Sequence, residues 1–202
     1  MSESGLDGDA ADGPNGERTP PEPLTPPLRL VRGTAAIDDL DEFLAGMDAV
    51  AAETGAVVQA FDAELVVSET HLREATRLAA RAIARGEAVA RDPGVEILLY
   101  AAGRRQIDRA LALGVSEGEQ ETVVLVADFG GVPGAERSAA ELNAAADAVA
   151  ELLDSVDAPH VTAYDSERVR EFYGITDREL AATAGDVTDI VRERVALLDV
   201  EK

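Results

Sequence analysis

Reactive side chains are scarce in this sequence, and the scarcity limits its chemistry. There is no cysteine, Lys202 is the only lysine, and the two histidines, His71 and His160, stand far apart. Without cysteine there are no disulfides, thiol nucleophiles or thiolate zinc sites. Asp128-Phe129-Gly130 spells the magnesium motif of protein kinases. Its necessary companions, a glycine-rich loop, a catalytic aspartate loop and a strand lysine, are missing, so the triplet reads as a chance match in a turn. No GxxxxGK[ST] phosphate loop occurs. His71 falls in the first turn of an expected helix and is expected on the surface, since a lone histidine has no ligand set around it. No catalytic residue, metal site or cofactor is assigned, and the expectation is a protein that is not an enzyme.

Arginine is the one functional side chain with a pattern. Arg73, Arg77, Arg81 and Arg85 recur every fourth residue. At 3.6 residues per turn they form a ridge that winds slowly across one helix face. Arg91, Arg104, Arg105 and Arg109 follow, so Ser68–Leu111 carries 8 arginines against 6 acids. Three readings fit: a solvated face laced by ion pairs, a phosphate or RNA contact, or a protein-binding face. Only Glu69 and Glu74 lie within the helix to pair with the ridge. Guanidinium makes bidentate bonds and stacks, so it can hold RNA even where salt screens long-range attraction.

That exception stands out because the chain has 40 acidic and 18 basic residues, a net charge of −22. The acid is spread over most of the chain rather than gathered in one tail. This favours a surface adapted to molar salt over a single basic partner, since a Debye length of about 3 Å at 1 M removes most self-repulsion. No stretch reaches the roughly 18 consecutive apolar residues of a membrane span, and no secretory leader is visible. The sequence therefore implies a soluble, cytoplasmic, halophilic protein.

Elements must position these residues. Residues 1–27 hold six of the nine prolines and almost nothing apolar, so they read as a disordered tail before a single folded domain, 28–202. Leu28–Val31 reads as a short strand, Asp38 as the cap of a helix to Glu53, and Ala56–Phe61 as a strand. Ser68 caps the arginine helix, which runs through Arg85 and is closed by Gly86. A buried strand and a buried helix both fit Val95–Tyr100, and its Glu and Leu favour helix. Arg105–Leu113 is helical. Thr122–Ala127 is the clearest strand and is expected at the centre of a sheet. Ser138-Ala-Ala-Glu141 spells a capping box for a helix to Val156, and Thr176-Asp-Arg-Glu179 spells a second. His160–Tyr164 reads as a short strand, Asp165 as the cap of a helix to Tyr173, and Asp186–Leu198 as the last helix. The fold class is α/β (α+β), a small mixed sheet flanked by helices.

Ala60-Phe-Asp-Ala-Glu-Leu-Val-Val67, the helix after it, and Val95-Glu-Ile-Leu-Leu-Tyr-Ala-Ala-Gly-Arg-Arg-Gln-Ile-Asp-Arg-Ala-Leu111 together resemble the small accessory subunit of KEOPS, the family related to PRPK-binding protein. Gly114-Val115 and the aliphatic strand Thr122–Ala127 continue the pattern, and the likeness, to archaeal members above all, spans roughly Ala35–Leu198. The resemblance implies a haloarchaeal-type protein without catalytic residues. It would bind the KEOPS kinase/ATPase subunit and stimulate threonylcarbamoyladenosine formation next to the anticodon. It would also help hold tRNA, including the 3′ CCA end. A stand-alone halophilic scaffolding domain is the rival.

On that basis Arg77, Arg81, Arg85, Arg104, Arg105 and Gln106 are the expected RNA contacts, with Tyr100 left to the core. Val187, Ile190, Val191 and Arg194 on the last helix are the expected partner interface, because the apolar arc there is wider than one core-facing stripe requires.

Overall fold

The computed structural model describes residues 25–156 and 164–200. Residues 1–24, which make up most of the expected tail, and His160–Ala163 of the expected strand lie outside the described residues. Pro26 is buried and the Pro27 carbonyl accepts from Asp128 N at 2.9 Å, so the body is already engaged before Leu28.

Four strands form one sheet in the order β2-β3-β1-β4. They are β1 (Leu28–Ile37), β2 (Val57–Asp62), β3 (Gly118–Ala127) and β4 (Ser155–Val156). The three described pairings are all antiparallel, where a mixture of senses was expected. β3 lies inside the sheet because Val123 to Ala127 form an unbroken apolar run that must be covered on both faces. Val123, Leu125 and Ala127 join the larger core, built with helices α2 (Glu69–Ala84), α3 (Pro93–Ala101) and α8 (Val187–Val200). Val124 and Val126 face the smaller core, shared with α1 (Leu40–Thr54) and α5 (Leu142–Glu151). The sheet is thus the middle of three layers.

Local chemistry sets the ends of these elements. Asp39, not Asp38, caps α1, its carboxylate accepting from Glu42 N at 3.0 Å. Gly55 then ends the helix in the left-handed region at φ 71°. Ser68 caps α2 by accepting from His71 N at 3.1 Å. The Val95–Tyr100 ambiguity resolves as helix: Asp92 caps Val95 N at 3.1 Å, and Pro93 occupies the first turn, where its missing N–H costs nothing.

The Ser138 capping box does not form, and α5 starts only at Leu142. Tertiary partners claim the amides it would need. Ala140 N donates to the Asp128 carboxylate at 3.1 Å and Glu141 N donates to the Thr54 carbonyl at 3.0 Å. Asp128 also accepts from Gly130 N at 2.8 Å, so the kinase-like triplet builds a loop. α5 also ends at Glu151, and Ser155–Val156, expected at its tail, become β4 instead. β4 lies so close to β1 that a Cβ on Gly33 would sit 1.8 Å from the Ser155 carbonyl oxygen.

Short helices complete the chain: α4 (Ile107–Ala110) with a 3₁₀ turn (Leu111–Leu113), α6 (Ser166–Tyr173) capped by Asp165, and α7 (Asp177–Ala182) capped by Thr176. Among the described residues, no helix is long and apolar enough to cross a membrane.

The Gly33 contact is directly testable. Gly33→Ala should destabilise the protein by about 1–3 kcal/mol in chemical denaturation, as overpacking does. Gly131→Ala, where a Cβ would meet nothing within 4 Å, should stay within about 0.5 kcal/mol of wild type.

Candidate functional site

The arginine ridge lies where α2 meets the C-terminal helices, and most of its members have a carboxylate partner. Arg73 binds Glu69 at 2.5 Å, one turn earlier. Arg77 donates to Glu74 through Nε at 3.0 Å and Nη2 at 2.6 Å. That bond holds the Glu74 carboxyl below its usual range. Arg81 reaches across to Asp199 near the end of α8, whose side chain is only 8% exposed. Tyr100 Oη donates to the same carboxylate at 3.4 Å. Arg85 is exposed at the helix end and makes no ion pair among the described residues.

Gly103, with φ 60°, turns the chain out of α3 and directs the next two arginines at different helices. Arg104 donates to the Phe172 carbonyl on α6 and lies over the Phe172 ring, 5.0 Å from its centroid. Arg105 donates to the Leu198 carbonyl at 3.1 Å. Leu198 is in the last turn of α8, where carbonyls lack helical partners and the helix dipole favours a cation. Arg104 and Arg105 are therefore clamps on the C-terminal helices. Gln106, the residue before α4, stays exposed. The structure brings Arg81 and Arg105 together at the end of α8, and leaves Arg85 and Gln106 open to solvent.

The expected partner interface lies mostly inside the protein. Val187, Ile190 and Val191 are 6%, 2% and 0% exposed and belong to the larger core. The arc is wide because α8 packs against α2, α3 and α6 at once. Arg194 is held by Glu179, with bonds of 2.7 and 2.9 Å. Glu179 is the acid of the second capping box; Thr176 still caps Glu179 N at 3.2 Å, but the carboxylate turns to Arg194.

His71 is fully buried rather than on the surface. It shares an inward face of α2 with Leu72, Ala75, Leu78, Ala79 and Ala82. Its Nε2 donates to the Ala101 carbonyl at 2.9 Å, beside Tyr173 Oη, which donates to the same oxygen at 2.8 Å. Nδ1 has no hydrogen-bond partner among the described residues. Burial lowers the His71 pKa to about 4 against the raising effect of the Ala101 bond. The ring is therefore a neutral strut between α2, α3 and α6.

A hollow of about 530 Å³ is acidic: Asp62, Glu64, Glu117, Glu119 and Glu121 line it with Arg168. Arg168 bridges Asp62, at 2.7 Å, and Glu64. Among the described residues, no group of carboxylates and histidines has the geometry to hold a metal ion.

Sequence reasoning missed Ile107 and Leu111, large apolar side chains that remain 41% and 54% exposed. Their spacing of four was the available signal, but Arg105–Leu113 was read only as helical.

A family model described as kinase binding protein CGI-121 matches residues 42–199. The chain belongs to that family. The match contains α2, α3, the two arginine clamps and nearly all of α8, so the joint described above lies within the family's own domain. No curated protein matches the chain.

The buried imidazole makes stability depend on pH. In the unfolded chain His71 binds its proton near pH 6.5, whereas in the folded protein it resists until about pH 4. Stability is therefore lost as pH falls between these values. From pH 7 to pH 5 the wild type should lose about 2 kcal/mol more than His71→Gln in urea denaturation, from 1.36 kcal/mol per pKa unit. Parallel losses in the two proteins would show that this ring is not the group responsible.

Proposed function

We propose that this protein is a non-catalytic subunit of the KEOPS complex, of haloarchaeal type and cytoplasmic. In this reading it binds the kinase/ATPase subunit and helps hold tRNA, including its 3′ CCA end, while threonylcarbamoyladenosine forms next to the anticodon. The match to the kinase-binding family over residues 42–199 carries the reading. The Glu-Ile-Leu-Leu-Tyr segment behind the resemblance is the buried helix α3, which supports it further.

RNA contact is proposed for Arg85 and for the outward faces of Arg77 and Arg81, whose side chains remain 26% and 34% exposed. Gln106 is the proposed base-edge contact, being exposed and beside the clamps. Arg104 and Arg105 contribute by holding the helices in place. In molar salt, counterion competition weakens phosphate contacts, so affinity rests on short-range hydrogen bonds and stacking.

Co-purification from a salt-adapted extract tests the assignment: a kinase and a threonylcarbamoyl transferase should accompany the tagged full-length chain. Recovery of the chain alone would instead favour a stand-alone scaffold. For the RNA contact, Arg85→Glu should lower tRNA affinity severalfold in a fluorescence titration with the melting temperature unchanged. Arg105→Glu should lower the melting temperature itself. The opposite pattern would make Arg105 the RNA ligand and Arg85 incidental.

A further inference from the structure

Ile107 and Leu111 lie one helical turn apart on the same side of the α4 segment, and Ala112 beside them is also exposed. Beyond Ala112 the strip continues into a groove of about 280 Å³, lined by Leu65, Ala112, Arg168, Glu171 and Phe172. We propose that this strip is the surface on which a kinase domain docks, inserting a short apolar ridge with a carboxylate at its rim. The inference rests on the kinase-binding reading and names its site.

Burying two large aliphatic side chains is a salt-tolerant source of affinity, because screening weakens ion pairs and leaves apolar burial intact. That suits a chain of net charge −22, whose long-range field would be screened in salt and repulsive to an acidic partner without it. Among the described residues, the same segment also carries an unpaired cation. Arg104 and Arg105 point inward to Phe172 and Leu198, and Arg168 is taken by Asp62 and Glu64. Arg109 is exposed on the same segment and forms no ion pair among the described residues, so a partner carboxylate would complete it.

The strip is also preorganised. Ala110 and Leu113 anchor its underside in the core at 0% exposure, and the two clamps fix the turn that precedes it. Little ordering entropy remains to be lost on binding. All of these residues fall inside the span matched by the kinase-binding family. The other exposed aliphatics lie in other elements: Leu44 and Leu152 belong to the α1–α5 layer on the opposite side of the sheet, Val156 to the short strand β4, Val89 to the loop before α3, and Leu197 to the last turns of α8.

The test is calorimetric titration of the full chain with its cognate kinase subunit in molar KCl. Ile107→Glu/Leu111→Glu should weaken binding at least tenfold with an unchanged melting temperature, as both side chains already face solvent. Leu111→Gln and Arg109→Glu, milder exposed changes, should each weaken it severalfold. Leu44→Glu should bind like wild type. Wild-type affinity in the Ile107, Leu111 and Arg109 variants would overturn the docking site while leaving the kinase-binding reading standing. A wild-type chain that binds no kinase would overturn both.

Discussion

The fold depends on how its C-terminal helix is fastened to the layer in front of the sheet. α8 packs against α2, whose buried residues include the small Ala75, Ala79 and Ala82. Side chains that small allow close approach but bury little area each, so the apolar contribution comes chiefly from Leu72 and Leu78 on α2 and from Ile190, Val191, Val195 and Leu198 on α8. Guanidinium groups complete the joint. Arg81 fixes the Asp199 side chain near the end of α8, and Arg105 binds the Leu198 carbonyl in that last turn. Arg104 holds α6 through a carbonyl and an aromatic ring. Each bond is charge-assisted and short-range, the kind least weakened by salt.

This explains how so acidic a chain can keep a basic stretch at a junction. With 40 acidic residues available, an arginine facing outward finds a carboxylate nearby, as Arg73 and Arg77 do. An arginine facing inward is valuable because it ties backbone carbonyls that no other group would satisfy. The outer surface is then left with few unpaired cations, Arg85 and Arg109 among them. Binding of an anionic partner is argued from these and from the exposed faces of Arg77 and Arg81, rather than from the whole run of eight.

Elements governed by neighbouring residues were legible in the sequence. The Ser68 cap, the Asp165 cap and the aliphatic strand through Leu125 all depend on chemistry within a few positions, and each stands where expected. Long-range partners were not legible. Ser138-Ala-Ala-Glu141 has the right letters for a capping box, but Asp128 and Thr54 take the amides first. His71 looked exposed because Tyr173, which shares its carbonyl acceptor, lies 102 residues away. The same distance effect divides the site: the arginine pattern was visible, but its division between clamps and free cations depends on Asp199, Leu198 and Phe172. Part of the wide arc of α8 was read as a partner interface, and in this structure three surrounding helices pack against it.

A double-mutant cycle across Arg81 and Asp199 reads whether this pair holds the joint. Arg81→Ala, Asp199→Ala and the double variant would be unfolded in urea at molar KCl and again in dilute buffer. The expected result is a coupling energy within about 0.5–3 kcal/mol that persists at high salt, as a partly buried contact should. Coupling near zero, or coupling present only in dilute buffer, would show that α8 is held by apolar packing alone and that the arginine ridge is a solvated surface.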